Sequence, residues 1–247
     1  MYEHNLNPYL TIFGVEVVPF YGLVYFLGFL FLYFFLKHKS TLKPKQVDDY
    51  IFYLLIGMLI GARLFAFLYY EIELFLSDPL ILFKLWLGGM SFHGGLLGMI
   101  VATYYFAKKH SLNFYKLADI IVIPGAIFLF FGRIANFING ELPGTITQSN
   151  ICVYFQGYEG CRHPYQIYEG LKNLALAGIL ALISTKTKIK GVLFWTFFYG
   201  YMVGRFLLDF IRYEGIQGQV LTIIFVVVSI PFFYKWKNTY MKKNQSH

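Results

Sequence analysis

Charged residues are scarce in this sequence of 247 residues. Asp, Glu, Lys and Arg make up 14% of it, whereas typical soluble domains carry about 25%. Hydrophobic residues make up 57%, and they come in blocks of about 20, the length that crosses a hydrocarbon core of about 30 Å. Runs of about ten residues with alternating polarity, which a membrane β-barrel needs, are missing. The sequence therefore predicts an all-α, polytopic membrane protein in one domain, residues 1–247.

Two further absences narrow the class of protein. Residues 1–16 contain no Lys or Arg, so the positive region of a cleavable signal is missing and we expect the first apolar run to be a retained span. The only two cysteines, Cys152 and Cys161, do not have the CxxC spacing of a metal site. Because no cluster of ligand residues is present, we expect no metal and no redox cofactor. A disulfide between the cysteines and two free buried thiols both remain open.

Basic residues give the chain a net charge of +8, but their placement does not favour nucleic-acid binding. Most of them lie in short segments between apolar runs, where orientation signals of membrane proteins belong. The positive-inside rule then predicts an external N-terminus, a cytoplasmic C-terminus and an external loop at 139–164. The four basic segments are 37–45, 108–116, 186–190 and 235–243.

Seven transmembrane helices can be drawn through the apolar runs. Their predicted spans are 17–36, 50–70, 88–107, 117–138, 165–184, 191–211 and 219–235.

Polar residues inside these spans are more informative than those in loops. An Arg at the middle of a span costs about 2.5–3.5 kcal/mol on insertion scales, so such residues usually face the bundle interior and indicate a functional site. The candidates are Arg63, His93, Asp119, Arg133, Asn136, Arg205, Asp209 and Arg212.

The sixth span carries the clearest polar stripe. Tyr201, Arg205, Asp209 and Arg212 fall at i, i+4, i+8 and i+11, which is one face of a helix. An Arg205–Asp209 ion pair that only packs the bundle would explain part of this stripe. The additional positive charge of Arg212 favours a functional interpretation.

The predicted topology places several polar groups at a similar depth in the outer half of the membrane. Tyr21 and His93 lie near the outer ends of spans 1 and 3, Arg133 and Asn136 near the outer end of span 4, and Arg205 in the outer third of span 6. Arginine forks match phosphate oxygens in a bidentate manner. The sequence therefore predicts a site for an anionic lipid or solute that opens towards the outer leaflet.

Small residues four apart predict close helix contacts, because they let backbones approach each other in lipid. The pairs are Gly57 with Gly61, Gly94 with Gly98, and Gly200 with Gly204.

The stretch "GRIANFINGELPG" (132–144) matches a long and specific pattern, G-R-x-Gly/Ala-N-F-x-N-x-E-x-x-G. In this respect the chain resembles the bacterial prolipoprotein diacylglyceryl transferases. Further segments resemble that family in the same order along the chain: "YGLVYFLGF" (21–29), "GGMSFHGGLLG" (88–98), "RHPYQIYE" (162–169) and the stripe around Arg205.

The resemblance implies an activity, a location and a set of site residues. The family transfers a diacylglyceryl group from phosphatidylglycerol to the lipobox cysteine thiol in the signal peptide of a prolipoprotein, with glycerol phosphate as the leaving group, in the bacterial cytoplasmic membrane. Asp209 stands where some relatives carry Glu. By matched position, the functional residues are Tyr21, His93, Arg133, Asn136, Glu141, Gly144, Arg205 and Arg212.

The expected chemistry gives these residues roles. Arg133 and Arg205 would stabilise negative charge on the leaving phosphate, and His93 or Tyr21 would take the thiol proton. The lipid itself would contact Arg133, Asn136, Glu141, Gly144, Arg205 and Arg212. Two other classes of function remain open: a transporter or flippase for an anionic lipid or solute, and a membrane scaffold without enzymatic activity.

Overall fold

The computed structural model describes residues 2–84, 89–213 and 215–240. The chain forms two compact units, each described here by itself. The middle unit is Phe29–Ile120, and the split unit is Met1–Gly28 together with Ile121–His247. The prediction of one integral membrane domain is not tested by this division.

Helices dominate the described residues, as the all-α prediction requires. Each of the seven predicted spans falls on one of them, although the predicted start of the third span, residue 88, and the end of the last basic segment lie outside the described residues. The helices are α1 (Phe20–Lys39), α2 (Pro44–Tyr69), α3 (Ile72–Ser77), α4 (Phe92–Lys109), α5 (Phe114–Ile138), α6 (Tyr165–Lys186), α7 (Val192–Leu208) and α8 (Ile216–Tyr240), with 3-10 turns at Pro79–Phe83 and Asp209–Ile211.

Five of these helices are long and apolar enough to cross a membrane: α1, α2, α5, α6 and α8. Helix α4 has 18 residues and α7 has 17, so these two are shorter than their predicted spans. The chain is therefore a polytopic helical membrane protein, and the count of seven spans stays a prediction.

The middle unit is built around a very close contact between α2 and α4. A Cβ atom added at Gly61 would meet the backbone oxygen of Gly94, and one added at Gly98 would meet the backbone oxygen of Gly57. These are the glycines whose spacing predicted a close approach, and here the prediction is confirmed.

Arg63 of α2 holds the segment that connects the middle unit's helices. Its guanidinium donates to the backbone oxygens of Ile81 (2.7 Å), Lys84 (2.6 Å), Gly89 (3.2 Å) and Leu82 (3.4 Å). Arg63 is buried, and these carbonyl groups compensate its charge and satisfy its donors. Arg63, a candidate site residue by its position within a span, therefore holds the connection between α3 and α4 in place.

The split unit contains two small sheets that the sequence did not predict. Strands β2 (Tyr9–Ile12) and β3 (Val15–Pro19) form an antiparallel hairpin. Strand β1 (Tyr2–Glu3) pairs in parallel with β4 (Val153–Tyr154), which pairs antiparallel with β5 (Cys161–Arg162).

A disulfide joins Cys152 to Cys161 beside this second sheet. Of the two alternatives that the sequence left open, the structure has the bridge. The bridge closes the tip of the loop 139–164 and puts both cysteines in the oxidised form.

Candidate functional site

Helix α6 supplies the centre of a buried polar cluster in the split unit. Tyr165, Gln166, Glu169 and Asn173 fall at i, i+1, i+4 and i+8 and therefore share one face. All four are at most 1% exposed. Because burying a polar group without partners is costly, this face must be matched by polar groups on the neighbouring helices.

Glu169 is the carboxylate on which three cations converge. Its Oε2 atom lies 3.4 Å from Nη2 of Arg133 on α5 and 3.5 Å from Nη1 of Arg205 on α7. Its Oε1 atom lies 3.0 Å from Nζ of Lys172, one turn further along α6. The structure thus brings Arg133 and Arg205 together, although they are far apart in the sequence.

Asp209 forms a second acidic centre where α7 passes into the 3-10 turn. Its Oδ2 atom accepts from Nε of Arg205 at 3.0 Å, and its Oδ1 atom accepts from the hydroxyl of Tyr165 at 2.7 Å. Nη1 of Arg212 lies 3.9 Å from Oδ1. The Arg205–Asp209 pair expected from the stripe is therefore present, but Arg205 also reaches Glu169.

Arg212 lies beyond α7 and its 3-10 turn. Burial, together with the charge of Arg205, lowers the pKa of Arg212 from its ordinary value. Arginine has so high an ordinary pKa that it remains a cation at neutral pH. Arg212 therefore adds positive charge to the cluster.

The signature stretch continues from Arg133 through the end of α5 into the turn that follows. Asn136 lies one turn after Arg133, and its Oδ1 atom accepts from Nη1 of Arg133 at 3.4 Å. Its Nδ2 atom donates to Oε1 of Glu141 at 2.6 Å. Gln166 of α6 donates to the backbone oxygen of Glu141 at 2.6 Å. The spacing of the signature thus corresponds to a helix end and a turn whose side chains face one another.

Gly144 is placed where the backbone has no room for a side chain. Its N–H donates to the backbone oxygen of His163 at 2.9 Å, and its oxygen accepts from Nη1 of Arg162 at 3.1 Å. An added Cβ would lie 2.6 Å from Cβ of His163 and 2.8 Å from the backbone oxygen of Ile211. Packing alone therefore requires glycine here, and a role of Gly144 in binding lipid stays a prediction.

Tyr21 and His93, the two candidates for the general base, lie in different units. The hydroxyl of Tyr21 is 3.2 Å from that of Tyr25, whose ring packs edge-on against Phe128 of α5. His93 is buried in the first turn of α4, which Ser91 caps by accepting from the N–H of Gly94. Tyr21 is therefore linked to α5 in the split unit, whereas His93 belongs to the middle unit.

The charges of the cluster do not cancel. Among the described side chains, four cations face three carboxylates, which leaves one positive charge in excess. A positive excess among these side chains suits an anionic ligand. The cations are Arg133, Lys172, Arg205 and Arg212, and the carboxylates are Glu141, Glu169 and Asp209.

The arrangement is suited to electrostatic stabilisation of an anion. Guanidinium groups that are already oriented in a buried site stabilise developing negative charge without reorganisation. No group of three or more His, Cys, Asp or Glu side chains that could hold a metal ion is found among the residues the structure describes.

Sequence reasoning missed the contribution of α6. The segment "RHPYQIYE" was recognised only as a resemblance, and Glu169 and Lys172 were not identified as site residues. A signal was available, since α6 is the least apolar of the five candidate spans. Its polar residues also recur on one helical face, as those of the sixth span do.

Comparisons with known proteins show the family of the chain. Residues 8–235 match the family model described as prolipoprotein diacylglyceryl transferase. A protein of Geobacter sulfurreducens named phosphatidylglycerol–prolipoprotein diacylglyceryl transferase is 41% identical over 239 residues, which cover 93% of this chain and 92% of that protein. Proteins with the same name are 35% identical in Ehrlichia ruminantium (92% of this chain, 95% of that protein) and 37% identical in Vibrio cholerae (92% and 90%).

Proposed function

The chain belongs to the prolipoprotein diacylglyceryl transferase family, and from this premise we propose that Arg133 and Arg205 bind the phosphate of its lipid substrate. The chain is a phosphatidylglycerol–prolipoprotein diacylglyceryl transferase, which performs the first step of lipoprotein lipidation. The proposal concerns where in the molecule this reaction takes place and which side chains take part.

One observation carries the proposal. Arg133 and Arg205 come from different helices, and both reach the same atom, Oε2 of Glu169, at 3.4 and 3.5 Å. Two guanidinium groups that can reach one carboxylate oxygen are close enough together to reach the oxygens of one phosphate. Charge-assisted hydrogen bonds of this type are typically about 2.7–2.9 Å long. The two contacts with Glu169 are longer than this, so both guanidinium groups can form shorter hydrogen bonds to a ligand.

The acceptor thiol is best supplied by the substrate. Cys152 and Cys161 are joined in a disulfide, and neither sulfur is then a thiol. Because the thiolate is the nucleophilic form of cysteine, the nucleophile must come from elsewhere. We assign it to the lipobox cysteine of the prolipoprotein signal peptide.

The proposed reaction forms a C–S bond and breaks a C–O bond. The substrate thiol loses its proton to His93 or Tyr21, and the sulfur attacks the diacylglyceryl carbon that carries the phosphate ester. The electron pair of the C–O bond leaves with glycerol phosphate. Negative charge grows on the leaving phosphate, where Arg133 and Arg205 stabilise it. Asn136 orients Arg133 and, through its amide, the oxygens of the lipid.

The orientation of the chain follows from the distribution of charge, and the kind of membrane from the family. We assign the chain to the bacterial cytoplasmic membrane, with an external N-terminus, a cytoplasmic C-terminus and an external loop at 139–164. This orientation rests on the basic segments. It places the end of α5 with Asn136, the turn with Glu141 and the start of α6 with Tyr165 near the outer surface.

The experiment that tests this function uses the purified protein, phosphatidylglycerol and a synthetic lipobox peptide. Mass spectrometry should find the peptide with a thioether-linked diacylglyceryl group, together with free glycerol phosphate. A matched peptide with Ser in place of the lipobox Cys should give no adduct. If the protein in lipid vesicles moved phosphatidylglycerol between the two leaflets and formed no adduct, the result would instead support a transporter or flippase.

A further inference from the structure

Lys172 is the cation of the cluster that lies outside both the signature and the stripe of α7. Its Nζ atom is 3.0 Å from Oε1 of Glu169 and 3.9 Å from the ring centre of Tyr201. Its side chain is 15% exposed. Its methylene groups fill the space beside Gly204, where an added Cβ would collide with them. Lys172 is therefore held in a defined position within the site.

The carboxylate of Glu169 is divided between two kinds of partner. Lys172 takes Oε1 at the shorter distance, 3.0 Å, whereas Arg133 and Arg205 share Oε2 at 3.4 and 3.5 Å. The lysine contact has the geometry of a hydrogen bond. The arginine contacts have only the geometry of ion pairs, so they are the ones that a ligand can displace.

This division matters when the phosphate arrives. Arg133 and Arg205 can turn to the phosphate only by loosening their contacts with Glu169. The side chain of Glu169 has no exposed surface, and a buried carboxylate that loses its cationic partners is strongly destabilised. Without another cation, Glu169 would therefore compete with the phosphate for the two arginines.

We propose that Lys172 is a positioning residue. It keeps its ion pair with the carboxylate of Glu169, so that Arg133 and Arg205 can leave Glu169 and bind the phosphate. The inference rests on the proposed function, because it assumes that the two arginines bind the lipid phosphate. Lys172 itself acts through Glu169 and does not contact the substrate.

The test measures KM for phosphatidylglycerol and kcat separately in purified variants. Lys172→Met reproduces the side chain as far as Cε, and with it the packing against Gly204, but removes the charged ammonium group. Loss of a hydrogen bond to a charged group corresponds to about a 10–100-fold change in an equilibrium constant, so KM should rise by about that factor with a smaller change in kcat. Lys172→Arg, which keeps the charge, should remain closer to the parent.

The second variant removes the competitor. In Lys172→Met/Glu169→Gln a neutral amide replaces the carboxylate, and KM should be lower than in Lys172→Met alone. An unchanged KM in Lys172→Met, or an increase that Glu169→Gln does not reverse, would overturn the inference. If Lys172→Met does not fold, the double variant is compared with Glu169→Gln alone: equal KM values support the inference, and a higher KM in the double variant overturns it.

Arg205→Lys, measured in parallel, separates this inference from the function on which it rests. Parent-like kinetics in Arg205→Lys would contradict the phosphate site itself, and with it the role of Lys172. Impaired Arg205→Lys together with an unchanged KM in Lys172→Met would remove the role of Lys172 alone.

Discussion

At the scale of single residues, Glu169 explains why cations from different helices can share a buried site. A guanidinium buried in a membrane protein needs a partner, and Glu169 serves Arg133, Arg205 and Lys172 at once. Asp209 repeats this arrangement with Arg205 and Arg212, and Glu141 accepts from the amide of Asn136. The result is a set of arginines that are oriented before any substrate binds, which is the condition for effective electrostatic catalysis.

Gly144 provides a residue-scale prediction that separates packing from lipid binding. We expect Gly144→Ala to lower the stability of the folded protein, because its Cβ would collide with His163 and the backbone of Ile211. Overpacking of this kind costs about 1–3 kcal/mol. The measurement is the melting temperature in detergent, with Gly178→Ala as control, since nothing lies within 4 Å of a Cβ at that position.

An unchanged melting temperature in Gly144→Ala, combined with lost transfer activity, would contradict the packing account. It would favour a direct contact between Gly144 and the lipid.

The signature stretch shows how far the site could be predicted from the sequence at this scale. Arg133 and Asn136 are one helical turn apart, so their spacing already implied that they share one face. The pairing of Arg133 with Glu169 depends on how α5 packs against α6. A local pattern carries no information about that packing, and Glu169 was therefore missed.

At the scale of helices, glycine spacing predicted one contact well. Gly57, Gly61, Gly94 and Gly98 form the close approach of α2 and α4. Gly200 and Gly204 behave differently, because side chains of α6, Leu176 and Lys172, occupy the space that these glycines leave. The spacing alone does not reveal whether a backbone or a side chain will fill the groove.

The α2–α4 contact gives the prediction at this scale. Gly98→Val would place a branched side chain against the backbone oxygen of Gly57, so the helices would have to separate. We expect a clear loss of folded protein, measured as the monodisperse fraction after extraction and as the melting temperature. Gly178→Val, on a part of α6 with open space around it, is the matched control. Equal behaviour of the two variants would show that the close contact contributes little.

At the scale of the whole molecule, composition predicted more than local sequence patterns did. The apolar blocks predicted the helices because burial in lipid forces every backbone group to be satisfied within its own helix. The two small sheets and the disulfide were not predictable in the same way. The sheet of β1, β4 and β5 depends on tertiary contacts such as the β1–β4 ladder, which joins residues far apart in the sequence.

Orientation is the prediction that belongs to this scale. In a Cys152→Ser/Cys161→Ser background, Ser111→Cys should resist an impermeant thiol reagent in intact cells, because the segment 108–116 is basic and assigned to the cytoplasm. Gln156→Cys, in the loop 139–164, should react. Both positions are exposed in the structure. Labelling of Ser111→Cys together with protection of Gln156→Cys would invert the topology and move the site to the inner leaflet.

The most direct test of the central claim is the rate of adduct formation in Arg133→Lys and Arg205→Lys. Lysine keeps the charge but loses the planar fork of arginine. Loss of a well-placed donor to developing charge typically slows a reaction by about 100–1000-fold. We expect that loss in both variants, and a similar one in Asn136→Ala, per molecule of correctly folded enzyme. Leu207→Ile, an exposed apolar position on α7, should be nearly silent.

Abundance and melting temperature are recorded for each variant alongside the rate. The account predicts folded lysine variants that form the diacylglyceryl thioether slowly. Near-normal rates in both Arg133→Lys and Arg205→Lys would contradict the claim that these two side chains bind the lipid phosphate, and loss of folded protein at an unchanged specific rate would assign the arginines to the architecture of the bundle.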